Sequence, residues 1–210
     1  MRWIVMLLFL TAAVAAEGSP REWVLNIDDL KGKLGASYRP DPKKQNLQHG
    51  DFVVSAYYVY TYLDSKRGIF MISQVNREIS SWDAQVSFVG AKVGFQDSLG
   101  DRRSPRTAGA VPCLFGFPPE TGACVSAVEW IDESKTVAAG EESRARRSAN
   151  GKDWMFLFRQ RRAWGTVSLN GIALTPREMD ALVERYVARV NRVQVRKRVN
   201  TKPKGIWRWP

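Results

Sequence analysis

The chain has 210 residues, 44% hydrophobic and 25% charged, and its 32 Lys and Arg against 21 Asp and Glu give a formal net charge of +11. These are ordinary globular values, sufficient for one domain with a sizeable core and a short tail. A single histidine excludes histidine-cluster metal sites, and the positive excess favours anionic partners.

Arg2 is followed by an apolar run over residues 3–10, then by Thr11, Ala12, Ala13, Val14, Ala15 and Ala16. A basic start, a short apolar stretch and small residues predict a secretory signal peptide over residues 1–16, cleaved before Glu17. The run falls short of the roughly 20 residues that a spanning helix needs. No cysteine follows the cleavage point to carry a lipid, and no later stretch is apolar enough to cross a bilayer. The mature chain is thus expected to be exported, either periplasmic or secreted. It divides into a domain over residues 17–193 and a basic tail over 194–210, and its charge without Arg2 is +10, from 11 minus 1. In that compartment phospholipid headgroups, lipopolysaccharide or acidic glycans are better candidate partners than nucleic acid.

Cys113 and Cys124 are the only cysteines. An even count in an exported chain, around a turn-forming Phe-Gly-Phe-Pro-Pro stretch, predicts a disulfide that closes a hairpin end. On the loop-entropy argument it would stabilise by roughly 3 kcal/mol. A redox or metal pair lacks the Cys-x-x-Cys spacing. Leu114, Phe115 and Phe117, held in this loop beside Pro118 and Pro119, form a candidate apolar contact that could equally pack under the sheet.

In chain order, Ser19-Pro20-Arg21-Glu22 carries a capping pattern, and Trp23, Ile27, Leu30 and Leu34 follow at helical spacing to Gly35. This predicts a short amphipathic N-terminal helix. Residues 39–50 read as a polar loop carrying His49. Residues 52–63, with Tyr58, Tyr60 and Tyr62 alternating, predict a strand that turns through 64–68 and pairs with 69–75. Ile69, Ile72, Val75, Ile79 and Trp82 also fit a helical period, and the preferred reading is a strand followed by a short helical turn. Residues 85–95 are expected as a strand loosened by Gly90 and Gly94, and 97–106 as a loop. Residues 108–115 and 123–131 form the cysteine-closed hairpin. Residues 132–153 show no apolar period and are expected as a mobile surface loop. Trp154, Phe156 and Phe158 alternate in a half-buried strand that turns at Arg161-Arg162 into 163–169, and Asn170-Gly171 marks a tight turn.

The last element is the most explicit. Thr175-Pro176-Arg177-Glu178 is a capping box with Pro at the first helical position. Met179, Leu182, Val183, Tyr186, Val190 and Val193 then form one apolar stripe. Arg185, Arg189, Arg192 and Arg196 recur beside it as a basic edge. Arginines near a helix end offset its dipole and their stems cover apolar rims. Beyond any such need, Lys197, Arg198, Lys202, Lys204 and Arg208 add charge, and Trp207 and Trp209 sit in a tail too polar to build a core. Trp favours a half-buried interfacial position. In composition this ending resembles Trp/Arg-rich host-defence peptides, a likeness that implies no fold. The alternative is that both rings fold back onto the domain.

The expected fold is α+β, a mostly antiparallel sheet of about eight strands covered on one face by an N-terminal and a C-terminal helix. No nucleophile elbow, zinc-helix, phosphate-loop or calcium-loop motif occurs, so no catalytic residue, cofactor or metal is assigned. Asp28-Asp29 and Glu141-Glu142 read as solvated acids, and His49 as a solvated histidine. The expected function is non-catalytic binding of an anionic partner or envelope surface, through the helix's basic edge and the tail. The rivals are an extracytoplasmic hydrolase with dispersed carboxylates or serines, and an assembly factor whose tail docks on another protein.

Overall fold

The computed structural model describes residues 19–35, 37–52, 55–97 and 130–200. The expected signal peptide over residues 1–16, Cys113, Cys124, Leu114, Phe115, Phe117 and the tail beyond residue 200 lie outside them. Among the described residues seven strands form one sheet, where about eight were expected. They are β1 (Gln45–Asp51), β2 (Ala56–Asp64), β3 (Ile69–Arg77), β4 (Trp130–Asp132), β5 (Glu142–Ser148), β6 (Trp154–Gln160) and β7 (Ala163–Asn170). Their order is β1-β2-β3-β7-β6-β5-β4. Every pairing is antiparallel. Two meanders, β1–β3 and β4–β7, therefore meet where β3 pairs with β7, and the fold class is α+β as expected.

The sheet is buried on both faces at its centre, and β6 shows why. Trp154, Phe156 and Phe158 point into the larger core, while Met155 and Leu157 point the other way. On the first face lie α4 (Pro176–Asn200) and the N-terminal segment, which holds α1 (Pro20–Trp23) and α2 (Lys31–Leu34). On the second lies α3 (Ser81–Asp97), whose Phe88 and Phe95 pack on Met155 and Leu157, with Trp130 and Trp164 at the rim. The expected single covered face is thus corrected to two. Gly165 makes the centre possible: a Cβ there would come within 2.3 Å of the Gln74 carbonyl.

Residues 85–95 are helical, not a strand. Ser80 caps α3, its Oγ accepting from the Asp83 amide at 3.1 Å and donating to Asp83 Oδ2 at 2.6 Å. The helical period is hidden because α3 is apolar on two opposed faces: Ala84 and Phe88 are buried, whereas Trp82, Val86, Val89 and Val93 face outward. Residues 39–50 are not all loop, since β1 occupies an edge where one polar face meets solvent; exposed His49 lies in it, opposite Tyr58. The expected loop over 132–153 contains β5, whose alternation is disguised by arginine stems; Ala145 points to the core while Arg144 and Arg146 lie on the opposite face.

The N-terminal segment is broken rather than one helix. Ser19 makes no side-chain cap, α1 stops after one turn, and Val24 is extended at φ −119° and ψ 148°. Asn26 then caps a single 3-10 turn, Ile27–Leu30, in a capping box with Asp29. The freed backbone groups are taken up by side chains from the sheet and α4. The Leu25 amide donates to Ser73 Oγ at 3.0 Å, and the Ile27 amide to Tyr60 Oη at 3.2 Å. Tyr186 Oη donates to the Trp23 carbonyl at 3.1 Å and lies 3.0 Å from Ser73 Oγ. A hydroxyl has one proton, so Ser73 must be the donor to Tyr186, and the chain of donors is fixed throughout. Trp23 stacks on Tyr58 with ring centroids 5.0 Å apart.

Candidate functional site: a basic pole

The box at the start of α4 is formed: the Thr175 amide donates to Glu178 Oε2 at 2.9 Å, and the Glu178 amide to Thr175 Oγ1 at 3.3 Å. Lys33 pairs with the same carboxylate and is the chief reason its pKa falls to about 2, with the capping bonds adding to it. All six expected apolar-stripe residues of α4 are buried. The helix runs on to Asn200 rather than ending near Val193, so Arg196, Lys197 and Arg198 belong to its last turns.

The expected basic edge divides in two. Arg185 and Arg192 are exposed. Arg189 is not a free cation: its guanidinium forks onto Asp29 at 3.1 Å through both terminal nitrogens and reaches the Val24 carbonyl at 2.7 Å. It is the clasp for the extended N-terminal residues. Its role in the structure is thus internal, and its charge is matched by Asp29.

A second source of charge meets the end of α4. Gln194, itself buried, accepts from the Arg162 amide at 3.2 Å and donates to the Gln160 carbonyl at 3.1 Å. These bonds fasten the β6–β7 hairpin turn, Arg161-Arg162, to the last turns of α4. Ile79, Ser80, Ser81, Glu141, Arg161, Arg162 and Gln194 line an open cleft of about 580 Å³. Arg162 donates to the Ile79 carbonyl at 3.3 Å. Arg161 is exposed and is the one non-glycine in the left-handed region among the described residues, at φ 55°. That conformation costs about 1 kcal/mol or more for a side-chain-bearing residue. Glycine or asparagine would occupy it more easily, so local geometry gives no reason for an arginine. The sequence showed this pair only as a turn; two adjacent arginines between apolar strands were the available signal.

Several ionisable groups elsewhere are held by internal partners. Asp64 is buried and pairs with Lys44 at 2.9 Å, which holds its carboxyl below the usual range. A hydrogen bond from Lys92 lowers Glu142, and hydrogen bonding to Ser134 lowers Asp132. Each of these shifts is downward, the opposite of what a general acid requires. Burial pushes Tyr60 up to about 12 and raises Tyr186 further. No group of three or more His, Cys, Asp or Glu able to hold a metal occurs among the described residues. Nor is any described helix long and apolar enough to cross a membrane.

No protein-family model matches the chain, and neither the curated proteins nor the solved structures contain a match to it.

Proposed function

We propose that this is an exported, non-catalytic protein that binds an anionic partner or envelope surface through a basic pole at the C-terminal end of α4. The observation that carries this reading is the meeting of two independent basic elements through Gln194. One is the Arg161-Arg162 turn; the other is the end of α4, which bears Arg192, Arg196, Lys197 and Arg198. Arg161 supports it further, because a strained backbone position is occupied by an exposed cation. Lys202, Lys204, Trp207, Arg208 and Trp209 follow in sequence, and clustered cations raise the local concentration of anionic ligands. Arg189 drops out of the binding set, since Asp29 and Val24 already hold it.

The test is vesicle co-sedimentation over a salt series, comparing anionic with zwitterionic lipid. Arg161→Gln combined with Arg192→Gln removes two exposed charges, and deletion of residues 201–210 removes three more together with both tail Trp residues. Each change should weaken binding to anionic vesicles and flatten its salt dependence, with folding intact. Equal binding to both lipids, or binding indifferent to both changes, overturns the reading.

A further inference from the structure

Of the nine large apolar side chains exposed among the described residues, Trp82, Val86, Val89 and Val93 lie on the outer face of α3, Ile79 leads into it, and Phe52 and Tyr57 pack on each other on either side of Ser55. Trp82 is the extreme, at 73% exposed. Ser55, between Phe52 and Tyr57 in the chain, lines the same open cleft as Ile79, Trp82 and Val86. Monomers rarely leave an apolar patch of this extent uncovered. We propose that the outer face of α3 is a self-association surface, on which a second copy of this chain lays its own α3 antiparallel about a two-fold axis.

Spacing is the first support. Within α3, residues 82, 86, 89 and 93 recur at steps of four, three and four, the period of a helix–helix seam, and Ile79 lies just before the Ser80 cap. The inner face, with Ala84, Phe88 and Phe95, is already used on the sheet, so this seam is a second one. A two-fold axis between residues 87 and 88 sets Trp82 against Val93 of the second copy and Val86 against Val89. Large then opposes small, and the contact is isologous as a two-fold requires.

Glycine supplies the second support. Gly90 lies mid-helix on the exposed side, where a Cβ would meet nothing within 4 Å. It costs about 1 kcal/mol relative to Ala, and nothing in the packing of the described residues calls for it. In the proposed pairing it faces Asp83 of the second copy and admits close approach, while Gln85 faces Lys92. No like charges are opposed.

Charge and area select this occupant over a bilayer. Glu78 and Asp83 line the cleft beside Trp82, with no Lys or Arg among the described residues there, so the stripe is acidic at Trp82 and meets Arg161 and Arg162 only at Ile79. At their fractional exposures, and with about 150–250 Å² per aromatic side chain, Phe52, Tyr57 and Trp82 alone expose on the order of 300 Å², to which Ile79 and the three valines add. A standard interface buries about 800 Å² per partner.

Sedimentation velocity over a concentration series tests the pairing. The wild type should show a monomer–dimer equilibrium, and Val86→Lys and Val89→Asp should each weaken it by about tenfold or more without lowering the melting temperature. An equimolar mixture of the two variants should recover dimer, because the lysine introduced in one copy then meets the aspartate introduced in the other. A parallel pairing cannot do this, so failure of the mixture overturns the arrangement. A wild type that stays monomeric overturns the proposal, whether it floats with vesicles through this face or not. So does shielding of Trp82 from acrylamide in the monomer, read as the difference from Trp82→Phe, which would mean that the chain covers its own stripe.

Discussion

Helices α3 and α4 use the same period and spend it differently. In α4 the large apolar residues from Met179 to Val193 make one stripe, all of it buried, and polar residues with two alanines fill the rest of that circumference. In α3 they make two opposed stripes, only one of which is buried by the sheet. Helical spacing therefore reports where a helix can make contact. It does not report how many contacts the chain itself supplies. A helix with one stripe is finished by its own fold, whereas one with two stripes has a surface left over.

The sharpest way to break this distinction is to truncate one residue on each helix. Leu182→Ala, inside the α4 stripe, should lower unfolding free energy by about 2–5 kcal/mol, while Val86→Ala on the outer α3 face should change monomer stability by less than about 0.5 kcal/mol. Urea denaturation at low protein concentration measures both, and comparable losses would mean that the α3 stripe is internal.

Tyr186→Phe comes next, because it leaves the Trp23 carbonyl without its donor; the loss should be about 1–3 kcal/mol. It also has a pH signature. Well below pH 10, Tyr60 and Tyr186 are protonated in both states. Above it the unfolded chain releases protons that the native state retains, since Tyr60 holds its proton to about 12 and Tyr186 beyond. Stability should therefore fall as pH rises through 10, by up to about 1.4 kcal/mol per pH unit for each retained proton, and the fall should be shallower in Tyr186→Phe.

The smallest contrast lies along α4 itself. Arg189→Gln should cost about 1–2 kcal/mol by releasing Asp29 and the Val24 carbonyl, whereas Arg185→Gln should stay within about 0.5 kcal/mol. Thermal melts of the two variants read the difference, and equal shifts would dissolve the clasp.

Legibility followed the same line. The α4 stripe, its capping box and the β2 tyrosines could be read from spacing alone, because one face of each was already committed to the core; β6 was legible as a strand, but the half-buried strand expected there is buried on both faces. Helix α3 could not, since residues apolar on two sides show no single period. Strands β1 and β5 escaped notice for a different reason: their polar and arginine-bearing faces dilute the alternation, and only pairing with β2 and β6 makes them strands. Of the candidate site, the arginine edge was visible but its division was not. That Arg189 is bound and Arg185 free depends on Asp29, 160 residues away. The Arg161-Arg162 contribution required knowing that Gln194 sits against the turn.

The clasp on the N-terminal segment also sets an order of events. Trp23 waits for Tyr186, 163 residues later, and Val24 for Arg189, 165 residues later. At ribosomal rates of about 5–20 residues per second, that interval is on the order of ten to thirty seconds. Throughout it, Trp23 and Val24 have no complete seat, and for most of it β3 lacks its neighbour β7. The first meander can pair in chain order, but its β3 edge stays open until β7 has been made. Closure of the larger core is instead a late event that joins the two ends of the domain at once, and the nascent chain remains open until its final helix has been made.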